Sequence, residues 1–287
     1  MVRTYDRRTR SSQHGAGRRV AAARRIRPGT GGGPPLLLCN GIGAPLEAFE
    51  PFTGALDPAI EVVRFDVPGV GGSPVPPLPY PFPRLARLAG RMLAQLGYDR
   101  FDVLGISWGG GLAQQLAFQN PRRCRRLVLV STATGSLMVP ATPRVLLRMS
   151  TGRRYRDPAH NRRVARDIYG GVLRHQPELA EHLIRAFARP VSARGYLYQL
   201  VAGLGWTSLP FLPLIRQPTL ILAGDDDPII PLVNARIMAA LLSAARLHVY
   251  PDGHLGLLTR AREIVPIVEE FLLAAGAASP HVGVPDT

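Results

Sequence analysis

Gly105-Ile106-Ser107-Trp108-Gly109 is a Gly-x-Ser-x-Gly pentapeptide, entered from the apolar run Phe101 to Ile106 and left through the helix-compatible run Gly110 to Gln119. A strand that turns abruptly into a helix forces the serine into a strained backbone and leaves its hydroxyl exposed above the sheet, while the flanking glycines make room for neighbouring main chain. The pentapeptide alone is weak evidence, since Gly and Ser are common and the same letters also spell an ordinary Gly-rich turn. Its strand-to-helix setting is what points to a serine nucleophile.

Serine must lose its proton as it attacks, so it needs a base with a pKa near 7 and an acid that holds this base in one tautomer. The layout resembles the α/β-hydrolases, in which the triad follows the chain order serine, acid, histidine. After Ser107, the next apolar strand-like segment to end in acid is Pro218 to Ala223, followed by Gly224-Asp225-Asp226-Asp227-Pro228. A last short strand, Arg246 to Tyr250, delivers Pro251-Asp252-Gly253-His254. His254 is therefore the candidate base, against the plainer reading of a turn histidine after Asp252-Gly253. The other histidines fit less well: His14 lies in an Arg-rich leader, His281 in a polar tail, His160, His175 and His182 in a helical middle section, and His248 within a strand. The oxyanion needs two preorganised donors, one from the residue after the nucleophile and one from an early loop. These are the Trp108 N–H and, past the strand Leu36-Leu37-Leu38-Cys39, the Ile42 N–H in Asn40-Gly41-Ile42-Gly43. Asn40 is expected to brace that loop by a local hydrogen bond.

The chain has 287 residues, 46% of them hydrophobic, enough for a sizeable core. Short apolar strands alternate with amphipathic helices, which predicts an α/β fold with a mostly parallel sheet covered on both faces. Leu85, Leu88, Met92 and Leu96 share one face of Arg84 to Leu96, with Arg84, Arg87 and Arg91 turned away. Further helices are expected over Val233 to Ala245 and Glu263 to Ala274. The alternation stops between about Gly135 and Arg216, where helical pieces are interrupted by Pro140, Pro143, Pro158, Pro177 and Pro190. The organisation read from this is an Arg-rich leader with an edge hairpin near Gly15-Ala16-Gly17 (1–30), a core (31–134 and 216–287) and an inserted helical cap (135–215). Met138, Leu146, Leu147, Met149, Tyr155, Tyr169, Tyr196, Tyr198, Trp206 and Phe211 are candidates to line an apolar acyl site, with Met138, Leu147, Trp206 and Phe211 singled out as substrate contacts. For any one of them, a place in the cap's own small core is the plainer alternative.

All 35 basic residues are arginine, against 20 acidic ones, for a formal charge of +15. A charge of that size invites a nucleic-acid reading, but the arginines are scattered and no nucleic-acid-binding signature accompanies them. The denser run Arg3 to Arg27 suits either a solvated leader or attraction to an anionic surface. The leader lacks an apolar secretory core, and no stretch reaches transmembrane length. With Cys39 and Cys124 as the two cysteines, neither a disulfide nor a metal cluster is expected, and a cytoplasmic location fits. Gly69-Val70-Gly71-Gly72-Ser73 lacks the Gly-Lys-Ser/Thr ending of a phosphate cradle and reads as a turn near the site.

From about Arg27 to Glu263 the chain is similar to the intracellular poly(3-hydroxyalkanoate) depolymerases of the medium-chain-length type. The stretches that carry this are Asn40 to Gly43, Phe65-Asp66-Val67-Pro68-Gly69-Val70-Gly71-Gly72-Ser73, Ser107-Trp108-Gly109-Gly110 with Leu112-Ala113-Gln114-Gln115, Ala202-Gly203-Leu204-Gly205-Trp206-Thr207-Ser208, Gln217 to Pro231, and Asp252 to Leu255. The Ser-Trp-Gly-Gly and Gly-Leu-Gly-Trp-Thr-Ser pieces are the narrowest of these. The family's Gly-x-x-Asp-x-x-x-Pro pattern falls on Gly224, Asp227 and Pro231, which selects Asp227 as the acid and leaves Asp225 and Asp226 as solvated turn residues or backbone caps. The resemblance implies Ser107, Asp227 and His254 as the triad, no cofactor, and a 3-hydroxyacyl polyester held in granules inside the cell. The Arg-rich first thirty residues depart from it. Two other readings stand beside it: a general carboxylesterase or lipase acting on small esters, and a non-catalytic protein recruited to granules or membranes by its arginines.

Overall fold

Leu36-Leu37-Leu38-Cys39 and Leu127-Val128-Leu129-Val130 are apolar at every position, and each of these residues is buried. A strand covered on both faces has no side left for polar residues. In the computed structural model, which describes residues 22–150, 153, 157–176, 178–179, 183 and 192–274, these runs belong to a seven-stranded sheet. Its strands are β1 (Arg24–Arg27), β2 (Leu36–Cys39), β3 (Val62–Phe65), β4 (Phe101–Ile106), β5 (Cys124–Val130), β6 (Thr219–Gly224) and β7 (Ala245–Tyr250). Their order is β1-β3-β2-β4-β5-β6-β7, with β1 antiparallel to β3 and every other pairing parallel.

Side chains alternate between two cores. Leu37, Cys39, Leu127, Leu129 and Ile221 face α2 (Phe82–Gln95) and α3 (Trp108–Gln119), while Leu36, Leu38, Val128, Val130 and Leu220 face α1 (Glu50–Ala55) and the C-terminal helix Ala261–Leu273. Helix α2 turns Phe82, Leu85, Ala89, Met92 and Leu93 inward, as its period predicts. The helix expected over Val233 to Ala245 ends at Leu241, because Ala245 is already the first residue of β7.

From β2 the chain steps to β3 on one side, and from β4 to β5 on the other. Loops leaving β2 and β4 therefore diverge, and a crevice opens between them at the carboxyl ends of the strands, where ligands bind in open parallel sheets. Asn40 to Gly43 leaves β2 and Ser107 leaves β4, so both fall at this switch point.

Between β5 and β6 the described helices are α4 (Pro143–Met149), α5 (Pro158–Ile168), α6 (Val172–His175) and α7 (Ala193–Gly203). Pro143 and Pro158 open helices rather than break them, since the first turn does not use its N–H groups. Asp157 caps α5 by accepting from the His160 N–H at 2.9 Å. Ala141, Val145, Val164, Ala165, Ile168, Tyr169 and Leu173 form a small core of their own that also takes in Ile229, from the loop after β6.

Arg24 to Arg27, read from sequence as part of the leader, form the edge strand of the sheet. Arg27 has a packing reason to be arginine: its guanidinium donates to the carbonyls of Thr53, Leu56, Asp57 and Ile60 at 2.6 to 2.9 Å, collecting the unpaired end of α1 and the loop beyond it. The hairpin expected near Gly15-Ala16-Gly17, with the leader up to residue 21, lies outside the described residues, as do His14, Tyr155, Pro177, His182, Pro190 and His281.

Arg125 and Arg126 fasten the end of the C-terminal helix to β5. Arg125 grips the buried Asp102 through both carboxylate oxygens, at 2.9 and 2.5 Å, and with Arg126 donates to the carbonyl of Leu272 at the end of the C-terminal helix. Burial pushes the Asp102 carboxyl above its ordinary range, and the paired guanidinium pulls against that. Asp102→Ala strands the guanidinium, so unfolding free energy should fall by about 3 kcal/mol, with the denaturant slope unchanged. Urea titration measures both quantities, and a loss within error of zero would show that the pair does not hold this end.

Candidate functional site

Ser107 has φ 55° and ψ −123°, a backbone that a residue with a Cβ adopts only when its surroundings enforce it. Its N–H donates to the Val130 carbonyl at 2.9 Å, and its own carbonyl accepts from the Gly110 N–H at 2.8 Å and from Thr132 Oγ1 at 2.7 Å. The flanking glycines are forced by close approach. A Cβ at Gly109 would collide with the carbonyl oxygens of Cys39 and Asn40, and one at Gly105 with the Gly109 oxygen and, at 2.7 Å, the Ala113 methyl.

His254 and Asp227 meet directly: Nδ1 lies 2.8 Å from Asp227 Oδ2, and both side chains are buried. An ionised carboxylate only accepts, so the imidazole proton sits on Nδ1 and the Nε2 lone pair is left to take a proton. The second oxygen, Asp227 Oδ1, accepts the N–H groups of Ile229 and Ile230, both at 2.9 Å, which fixes the carboxylate plane. Of the three neighbouring aspartates, Asp225 is exposed and Asp226 turns to a different partner. His160 and His175 lie on α5 and α6, and His248 lies in β7.

Ile42 and Trp108, the candidate donors for an oxyanion, share one apolar cluster with Tyr196, Met149 and Leu200. Asn40 braces its loop through Nδ2 to the Pro45 carbonyl at 2.7 Å. Asp66 holds the neighbouring Gly-rich turn, accepting from the N–H groups of Gly72 at 2.8 Å and Leu46 at 2.7 Å.

Of the four residues singled out as substrate contacts, Trp206 and Phe211 pack edge-on at a centroid distance of 6.1 Å, with Met138 in the adjoining turn, while Leu147 stands apart. Leu147 is 75% exposed, so its side chain points to solvent from α4. Phe211 stacks on Phe118 at a centroid distance of 4.5 Å. Phe118 is eleven residues along from Ser107, or about 16 Å at the rise of an α-helix. Trp206 packs on Phe82 and gives its indole N–H to Gln115 Oε1 at 2.8 Å, on the flank of α3. Met138 is half-buried in the turn that pairs Gly135 with Thr207. Apolar composition marks such residues as inward-facing somewhere; it does not say toward which neighbour. Met149 and Tyr196, from the wider group, are the ones that pack with Ile42 and Trp108.

Three tethers that sequence reasoning missed fasten the 169–174 segment over the acid and base. The His254 N–H donates to the Tyr169 carbonyl at 2.7 Å. Asp226 accepts from the Gly171 N–H at 2.7 Å and takes the Arg174 guanidinium on both oxygens, at 2.6 and 3.1 Å. Asp252 is 2% exposed and accepts from the N–H groups of Val172 and Gly253 and from Thr259 Oγ1. Asp226 thus accepts a backbone N–H, as expected of a cap, and is ion-paired while its side chain stays partly exposed. Long-range partners of this kind leave no mark on local sequence pattern. Among the described residues, no group of three or more His, Cys, Asp or Glu side chains is placed to hold a metal ion.

A family model described as the alpha/beta hydrolase fold matches residues 34–261. The chain is 54% identical over 248 residues to the poly(3-hydroxyalkanoate) depolymerase of Ectopseudomonas oleovorans, covering 86% of this chain and 87% of that one. It is 32% identical over 198 residues to a 2-hydroxymuconate semialdehyde hydrolase of Pseudomonas putida, covering 65% and 67%. Among solved structures, a hydrolase from Pseudomonas aeruginosa PA01 superposes with a TM-score of 0.75 at 28% identity, over 88% of this chain and 94% of that one.

The Arg174 hydrogen bond holds the Asp226 carboxyl below its ordinary range. A depressed carboxylate stabilises the fold above its unfolded pKa of about 4, and that contribution is lost as pH falls through the lower folded value. Asp226→Asn should therefore be less stable than wild type at neutral pH, with the gap closing below about pH 4. Urea unfolding at stepped pH reads the gap, and one that stays constant into acid would remove the ion pair as its source.

Proposed function

We propose that this chain, which belongs to the α/β-hydrolase family, hydrolyses the ester bonds of poly(3-hydroxyalkanoate) with medium-length side chains, through an acyl-enzyme. The 54% identity to a poly(3-hydroxyalkanoate) depolymerase across 86% of the chain carries this reading. The hydrogen-bonded His254 and Asp227, with a strained Ser107 at the switch point of the sheet, supply its chemistry.

In this mechanism Ser107 Oγ attacks the ester carbonyl as its proton passes to Nε2 of His254, and Asp227 steadies the imidazolium. Charge that develops on the carbonyl oxygen is met by the N–H groups of Ile42 and Trp108. Collapse expels the 3-oxygen of the next unit as an alcohol, protonated by His254. Water activated by the same histidine then releases the 3-hydroxyacyl group and restores the serine. Residues 135–215 act as the cap, and Tyr196, Met149 and Leu200 beside Ile42 and Trp108 are its acyl-binding part. The same reading puts the protein in the cytoplasm at the surface of polyester granules. Two free, buried cysteines are compatible with that compartment, and no helix among the described residues is long and apolar enough to cross a membrane.

Ser107→Ala should leave the thermal transition nearly unchanged and lower turnover by on the order of a million-fold, the usual scale for a lost triad nucleophile. A folded variant with near wild-type rate would end this mechanism. Each methylene moved into an apolar site is worth roughly 0.8 kcal/mol, so a side chain longer by three carbons should be cleaved faster than 3-hydroxybutyrate units. Soluble oligomers that differ only in side-chain length separate chemistry from access to a solid surface. Faster release from 3-hydroxybutyrate oligomers would reject the medium-chain preference, and hydrolysis of small esters without any release of 3-hydroxy acids would favour a general carboxylesterase.

A further inference from the structure

Gln199 lies on α7 with 1% of its surface exposed, and it touches both the Asn40 to Gly43 loop and Trp108, the residue after Ser107. Its side-chain Oε1 accepts the Gly43 N–H at 2.8 Å, and its main-chain carbonyl accepts the Trp108 indole N–H, also at 2.8 Å. Tyr196 and Leu200, on the same helix, pack into the cluster formed with Ile42 and Trp108. The amide therefore stands among the residues proposed to hold the oxyanion.

The orientation of that amide is not free. A main-chain N–H can only donate, so Oε1 must face Gly43; turning the amide over would set two donors against each other. This fixes Nε2 on the other branch, where it is buried with no hydrogen-bond partner. Bracing Gly43 requires an acceptor alone. The second half of the amide is a surplus buried donor, and native proteins seldom bury one without a use for it.

We propose that Gln199 Nε2 is a specificity donor that reads an oxygen on the third carbon of the acyl group. With the ester carbonyl between Ile42 and Trp108, carbon three is two atoms further along the acyl chain, and the amide is braced on Gly43, the residue next to Ile42. A 3-hydroxyacyl ester carries an oxygen there, free as a hydroxyl or tied into the next ester linkage. A plain fatty acyl ester has none and leaves the donor unpaired. This discrimination rests on the ester-hydrolase reading of the site and deepens it from esters in general to 3-oxygenated acyl esters.

The test compares kcat/KM for methyl 3-hydroxyoctanoate and methyl octanoate, with wild type and Gln199→Met. Methionine keeps the bulk and removes both polar atoms. Wild type should favour the hydroxy ester by roughly tenfold, about the value of one hydrogen bond. In Gln199→Met both rates should fall as the Gly43 brace is lost, the hydroxy ester's by about tenfold more, so that the preference disappears. Equal rates in wild type, or an unchanged preference in Gln199→Met, would overturn the proposal. If the variant does not fold, competitive inhibition of wild type by 3-hydroxyoctanoate and by octanoate gives the same comparison, and equal inhibition overturns the proposal as well. Wild type that keeps the preference yet leaves the polymer intact supports the role of Gln199 while removing the polyester as substrate.

Discussion

Holding one serine at a positive φ constrains more of this molecule than any other local demand. A non-glycine residue in that conformation costs about 1–3 kcal/mol, and it persists only where neighbours over-determine it. Val130 and Thr132 grip the Ser107 peptide from the next strand, so β4 and β5 must be parallel and in register at their ends. The approach of Gly109 to the Cys39 and Asn40 carbonyls then sets the distance between α3 and the end of β2. Strand order, the two glycines and the placing of the Asn40 to Gly43 loop all follow from keeping that hydroxyl where it is.

Those elements were legible in the sequence because each leaves a local mark. A doubly covered parallel strand reads as a mostly apolar run, unbroken in Leu36–Cys39 and interrupted by Asp102 in Phe101–Ile106, which is why both have the same limits in sequence and structure. The proposed acid and base follow short strands, and the order of those strands along the chain leads to the Asp225-Asp226-Asp227 cluster and to His254, with the family resemblance selecting Asp227. What stayed hidden depends on contacts between distant residues. The carbonyls that Arg27 collects and the carboxylate that Arg125 grips lie more than twenty residues away in the chain, so no local pattern marks either arginine. Gln199 follows the candidates Tyr196 and Tyr198 but carries no mark of its own, being more than 150 residues from the Gly43 it braces. Hydrophobicity predicts burial without naming the neighbour, so it could not show that Phe211 stacks on Phe118 or that Leu147 is left exposed on α4.

The helical segment between β5 and β6 has a core of its own, and that core includes Ile229, whose N–H also holds the Asp227 carboxylate. One residue thus belongs to the packing of the cover and to the positioning of the acid. Asp226 and Asp252 extend the same overlap by polar contacts, with Gly171 and Val172 as their partners. The acid and base loops are finished by the segment that lies over them, whereas the serine is finished within the sheet.

The hydrogen bond from the His254 N–H to the Tyr169 carbonyl gives this overlap a dynamic meaning. An amide exchanges with solvent at the rate set by whatever opening breaks its own bond. For His254 that opening belongs to the end of α5, not to the neighbouring strand β7. The His254 amide therefore reports the local unfolding free energy of the helices between β5 and β6, while the Ser107 amide, bonded to Val130, reports that of the sheet.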